Sequence, residues 1–161
     1  MKQTGSNDPS THVKRRPPAH MTKKQPKKLD RPGVDRLGRT PLHYAVNEAL
    51  HDEAMRLLKG GADPSARDDN GWTPLHFAAQ SGAHKVIMLL LTYGAEVDAL
   101  DSNGNSPLWR AVFSFKGDGA PIAALRAAGA DPFRENSHGI SPVALARDSD
   151  DETEQLFADL A

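Results

Sequence analysis

The chain has no cysteine among its 161 residues. That excludes disulfides, a thiolate nucleophile and any cysteine-based zinc site, and it fits a reducing compartment. Long hydrophobic runs are missing too. The longest, Val86 to Leu91, falls far short of the roughly 20 residues a membrane-spanning helix needs. The first 20 residues lack an apolar central region, so no export signal is expected there, and nothing in them requires translation ahead of Met21. No Asn-x-Ser/Thr glycosylation acceptor occurs. The cytoplasm is the expected location, or the nucleus in a eukaryotic cell.

Catalytic signatures are equally scarce. There is no Walker-type phosphate loop, no Gly-x-Ser-x-Gly elbow and no His-Glu-x-x-His helix. The stretch Gly117-Asp-Gly119-Ala-Pro-Ile122 imitates the start of a dinucleotide loop but lacks the third glycine and a preceding strand. It reads better as an expanded connection between helices. No enzyme activity, cofactor or metal is expected.

Charge is plentiful but unevenly placed. Residues 1–34 hold nine of the 20 basic residues and only two acids, a net of +7, so the remaining 127 residues carry −8. Five prolines and few apolar residues in that first segment predict a disordered basic tail. Lys14-Arg-Arg and Lys23-Lys-Gln-Pro-Lys-Lys resemble a split nuclear-localisation signal. The same cations suit phosphate contacts with nucleic acid, without aromatic residues for stacking, or a membrane surface, without a hydrophobic anchor. A plain solubilising tail accounts for them as well.

What the chain does have is a repeat. Thr-Pro-Leu-His occurs at Thr40 to His43 and again, 33 residues on, at Thr73 to His76. Ser106-Pro107-Leu108-Trp109 follows at the same interval and Ser141-Pro142-Val143-Ala144 at 35. A fixed period of this length marks a repeat solenoid. Each copy opens on a turn that needs glycine, continues with a Thr or Ser able to cap a helix, and places proline at the first helical position. An apolar stripe follows, as in Leu42, Ala45 and Val46, then a second helix that Gly94 stops in repeat two. Gly61 and Gly129 close their repeats in the same Gly-Ala-Asp/Glu signature. The predicted fold is an all-α solenoid of four helix-turn-helix units with β-turn or hairpin tips, at 35–67, 68–100, 101–135 and 136–161. The polar second helix of repeat one and the acidic end of repeat four predict capping units.

These motifs resemble the ankyrin repeat, whose Thr-Pro-Leu-His-x-Ala core and Gly-Ala-Asp ending are both present. The resemblance implies a protein-binding module and assigns His43 and His76 a structural role, tying the turn to the helix start. A metal site at the two histidines is disfavoured on geometry, because equivalent residues on stacked helices sit about 8–10 Å apart and do not converge. Asp148, Asp150, Asp151 and Glu152 read as a solvated helix start, since no turn glycine shapes them into a calcium loop.

The resemblance also implies that the turn tips and the exposed side of each first helix meet the partner. Matched position by position, the tips offer Arg36, Arg39, Asp69, Trp72, Ser102 and Asn105. The helices offer Asn47, Glu48, Gln80, Ser81, Phe113 and Ser114. Trp72 stands at a tip position that no core requires, and Phe113 at another exposed one, the composition expected of interface anchors. Repeat three departs from the pattern: Trp109 replaces histidine, Arg110 follows, and two additional residues predict a loop protruding at one end of the groove. Its last two repeats resemble short bacterial ankyrin proteins that pair with polymorphic toxins. The partner implied is a protein, basic enough to match the acidic body, with nucleic acid reachable only through residues 1–34 and the free chain monomeric. An immunity role is one reading. A regulatory adaptor localised by the basic tail, or a translocated bacterial effector, is the other.

Overall fold

Every Thr-Pro or Ser-Pro pair starts a helix. In the computed structural model, which describes residues 33–160, Thr40, Thr73, Ser106 and Ser141 are extended N-caps followed by proline in the first turn. The Ser106 and Ser141 hydroxyls accept from the backbone N–H of Trp109 and Ala144 at 3.2 Å. The basic segment expected to be disordered lies, but for residues 33 and 34, outside the described residues.

Four first helices result: α1 (Pro41–Asn47), α3 (Pro74–Ser81), α5 (Pro107–Phe113) and α7 (Pro142–Ser149). Each is backed by a second helix, α2 (His51–Lys59), α4 (His84–Thr92), α6 (Ala120–Ala127) or α8 (Asp151–Gln155), and a 3-10 turn at Ala158–Leu160 ends the stack. First helices pack on first helices in chain order, and α2, α4 and α6 stack behind them. Equivalent positions form apolar ladders: Leu42, Leu75, Leu108 and Val143, beside Ala45, Ala78, Ala111 and Ala146, are all buried. Small alanines let neighbouring helices approach, and the larger ladder fills the space behind them.

The tips are β-turns, and no strand occurs among the described residues. Each turn closes on itself, as when Asp35 N–H donates to the Arg39 carbonyl at 3.0 Å. One backbone bond then joins each tip to the next: Asp69 N–H to Leu37 O at 2.8 Å, Ser102 to Asn70 at 2.9 Å and Ser137 to Asn103 at 2.9 Å. Glycine is required twice over here. Gly38 and Gly104 both have φ of +75°, and a Cβ on either would lie 2.6 Å from Asp69 Oδ1 or 2.9 Å from Ser137 N.

The additional residues of repeat three do not protrude as a whole. Phe115 is partly buried against the core and Gly119 abuts Leu156, where a Cβ would stand 2.7 Å from Cδ2. Only Lys116, Gly117 and Asp118 face solvent. The loop fills space that the short α8 leaves open.

A second tie runs between repeats. Thr73 N–H donates to His76 Nδ1 at 3.1 Å, which leaves Nε2 protonated to donate to the Asn105 carbonyl at 3.0 Å. His43 makes the same pair of bonds with Thr40 and Trp72. Burial holds His76 neutral, pulling its pKa from 6.5 to about 4 against the opposing pull of the Asn105 carbonyl and Asp101. His43 is lowered in the same direction, again chiefly by burial.

The sign of the pH dependence follows. Between about pH 6.5 and about pH 4 the unfolded chain binds a proton at residue 76 that the folded chain does not. Stability from this group is therefore whole above that window and falls as pH drops through it, by roughly 3 kcal/mol in all. Urea unfolding at about pH 7 and about pH 5 should show it. His76→Gln should be less stable at the higher pH yet decline less between the two. An unchanged decline would place the acid sensitivity in other groups.

Candidate functional site

The face shared by the tips and first helices is built from three recurring positions. The residue after the histidine position reads Tyr44, Phe77, Arg110 and Leu145 through the four repeats. Three residues later come Asn47, Gln80, Phe113 and Asp148, all exposed, and then Glu48, Ser81, Ser114 and Ser149. The repeat holds the backbone of these rows constant while their side chains vary, which is where a solenoid can change partner without changing fold.

Under the rows lie buried tip carboxylates. Asp68 Oδ1 accepts the N–H of Asn70 and of Trp72 at 2.9 Å, and Asp101 Oδ1 accepts those of Asn103 and Asn105 at 2.8 and 2.9 Å. Each also needs a partner for its second oxygen. In repeat one the Tyr44 hydroxyl donates to Asp35 Oδ2, which together with backbone donors holds that carboxyl below its ordinary value. Phe77 cannot donate, so Asp68 takes Arg39 from the preceding tip at 3.5 Å. In repeat three Arg110 donates to Asp101 Oδ2. Burial alone would raise the Asp101 carboxyl, but the Arg110 guanidinium and the Asn105 and Asn103 donors outweigh it and hold it low.

Because they are anchored this way, the two arginines become rungs in a stack. The Arg39 guanidinium lies 5.1 Å from the Phe77 ring, Phe77 is 4.9 Å from Trp72, and Arg110 lies 4.3 Å over Trp72. Arg110 also reaches Trp109 at 5.4 Å, and Trp109 stacks on Phe113 at 5.1 Å with the rings 14° from parallel. The order is cation, two aromatics, cation, two aromatics. It stops at Phe113, which is 63% exposed.

Four of the positions expected to meet a partner are therefore committed to the fold. Trp72 was expected to stand clear of any core, but it is half-buried between Phe77 and Arg110. Asn105 is 4% exposed, because its amide donates to Asp101 at 3.2 Å and its oxygen accepts from Asn136 at 2.8 Å. Arg39 and Arg110 are half-buried on their carboxylates. Asn47, Glu48, Gln80 and Phe113 stay exposed, as do Arg36 and Asp69 at the tips, though neither of those two lacks a partner. Of the structural set, Thr40, His43, Thr73 and His76 make the bonds already given. Gly61, Gly94 and Gly129 follow their second helices with φ of 90°, 81° and 92°.

Sequence reasoning overlooked Tyr44, 43% exposed in the row of Phe77 and Arg110, and it read Asp148 as part of a helix start, whereas Asp148 lies in the last turn of α7, exposed in the row of Phe113. The signal was available. In both rows the residue changes chemical type from copy to copy while its neighbours repeat. No three or more His, Asp or Glu side chains gather into a metal-holding group among the described residues, and no helix there is long and apolar enough to cross a membrane.

The division between anchored and free residues has a measurable consequence. Arg110→Ala should cost about 3–5 kcal/mol, since it leaves Asp101 buried without its counter-ion. Phe113→Ala should cost about 1 kcal/mol, the worth of one exposed stacking contact. Urea unfolding followed by far-ultraviolet circular dichroism compares them, and equal losses would refute the division.

The family model for ankyrin repeats matches three copies over residues 42–136, more than half of the chain. No curated protein matches. The fourth unit lies almost wholly beyond the matched segment, yet α7 keeps the Ser-Pro start and packs on α5 as its predecessors do. Ankyrin repeats are in general protein-interaction modules without catalytic activity. By the matched copies, the shared motif and the stacked helix pairs, this chain belongs to the ankyrin-repeat family.

Proposed function

We propose that this chain captures one basic protein, in stoichiometric amounts, on the face formed by its tips and first helices, and masks it. One observation carries the reading. Two cations of that face, Arg39 and Arg110, are neutralised by buried Asp68 and Asp101, and a third, Arg36, is matched in charge by exposed Asp69. Glu48 and Asp148 are exposed, and their carboxylates make no ion pair among the described residues. The field the face projects is thus negative, in keeping with the −8 of residues 35–161. Such a field speeds encounter with a basic partner and makes association sensitive to salt.

The most specific form of the proposal is a cytoplasmic immunity protein that covers a cationic toxin, for instance a nuclease. It draws on the resemblance of repeats three and four to short bacterial ankyrin proteins with that role. The competing reading, a regulatory adaptor localised by its basic segment, draws on the +7 of residues 1–34.

Affinity capture from nuclease-treated native lysate separates them, using the full chain and a chain beginning at Asp35. One near-stoichiometric basic protein should be held by both and released by high salt. Reversing two charges, Glu48→Lys with Asp148→Lys, should weaken that complex on the order of tenfold or more. Material held only by the full chain and lost on nuclease treatment would replace this reading with the competing one.

A further inference from the structure

The stack of rings and guanidinium groups has an unused end. From Arg39 it passes through Phe77 and Trp72 to Arg110, then through Trp109 to Phe113. One face of Phe113 is covered by Trp109 in a near-parallel stack, and with 63% of the residue exposed the opposite face meets solvent. Twice within the chain the place beyond a pair of aromatics is taken by a guanidinium. The electron-rich face of a ring attracts a cation, and the flat guanidinium suits it better than a compact ammonium.

The surroundings favour the same occupant. Asp148 holds in repeat four the position that Phe113 holds in repeat three, so it stands one helix spacing away, about 8–10 Å. It is exposed, and its carboxylate makes no ion pair among the described residues. On the other side of the row Gln80 is exposed and neutral. Exposed Lys116 lines a hollow with Gln80 and Ser114 together with the carboxylate of Asp118, whereas Arg110 is already paired with Asp101 and stacked between Trp72 and Trp109. Arg110 neither competes for Asp148 nor repels an incoming charge as a bare arginine would.

We infer that the open face of Phe113, with Asp148 beside it, is a slot for an arginine side chain of the protein partner, stacked on the ring with its charge toward the carboxylate. The inference rests on the proposed capture of a basic protein and names the residue type that fixes its register. Lysine fits the field but not the stack. An acidic or purely apolar segment fits neither.

The test is nuclear magnetic resonance on the full chain, titrated with three blocked hexapeptides alternating glycine with arginine, lysine or citrulline. The arginine peptide should shift the aromatic signals of Phe113 and Trp109. It should bind about two- to fivefold more tightly than the equally charged lysine peptide, the fold-change of one exposed cation–π contact. The neutral citrulline peptide should bind far more weakly. Phe113→Leu, which keeps an apolar surface but removes the π-face, should abolish the preference for arginine over lysine. Asp148→Asn should weaken both cationic peptides.

Equal binding of the arginine and lysine peptides, or an arginine preference that survives Phe113→Leu, would overturn the slot. If the peptides then still shift Asn47, Gln80 and Ser114, the face remains the capture surface and only the slot is lost. If every shift lies away from these rows, the capture reading falls with it.

Discussion

A neutral imidazole at the start of a first helix is bonded at both of its nitrogens. His76 Nδ1 accepts the Thr73 N–H of its own repeat, and its Nε2–H is committed to the Asn105 carbonyl of the next. His43 links Thr40 to Trp72 in the same way. A rigid ring bonded at opposite ends fixes the distance between a helix start and the following tip, so neither can slip by one residue. The rest of the stack depends on that register. It places Gly38 against Asp69 closely enough to exclude a side chain, and it brings the leucine and alanine ladders into line. It also requires an uncharged ring, which is why burial and acid sensitivity come together in this fold.

Repeat three gives up that tie. Trp109 offers only a donor, its Nε1 is buried without a partner among the described residues, and the link to repeat four passes to the amide pair of Asn105 and Asn136. A buried unpaired donor costs roughly 1–3 kcal/mol. The indole offsets this by packing, and it also supplies the platform on which Phe113 stacks and one of the two rings that Arg110 covers. Local rules of a fold are broken most readily where a surface has another task. Here the break lies under the one large aromatic ring that the stack leaves open.

Most of the architecture was legible because it is local. Thr-Pro and Ser-Pro starts, turn glycines and apolar periodicity each act within a few residues, and they place the four helix pairs directly. The site was legible only in part, since its decisive contacts join different repeats. Nothing near Trp72 in the chain announces that Arg110 lies across it. Nor does Asn105 reveal its role until Asp101 on one side and Asn136 on the other are seen to hold its amide. The expectation of a protruding loop held only for Lys116, Gly117 and Asp118 for the same reason, because the room for Phe115 and Gly119 is set by contacts with the core and with Leu156. Phe113 could be read as exposed because its position in the repeat settles that question alone.

Anchoring the arginines does more than neutralise them. An acidic partner that drew Arg110 away from Asp101 would leave a buried carboxylate without its counter-ion, at a cost of about 3–5 kcal/mol. Discrimination against acidic surfaces thus does not depend solely on repulsion by Glu48 and Asp148, which salt would screen. It is built into the desolvation of the tips, which salt screens far less. The same pairing keeps the stacked rings preorganised before any partner arrives, so less ordering entropy is lost on association than on a face of free side chains. On the proposed function, salt should therefore slow the capture of a basic partner well before it relaxes the selectivity of the face.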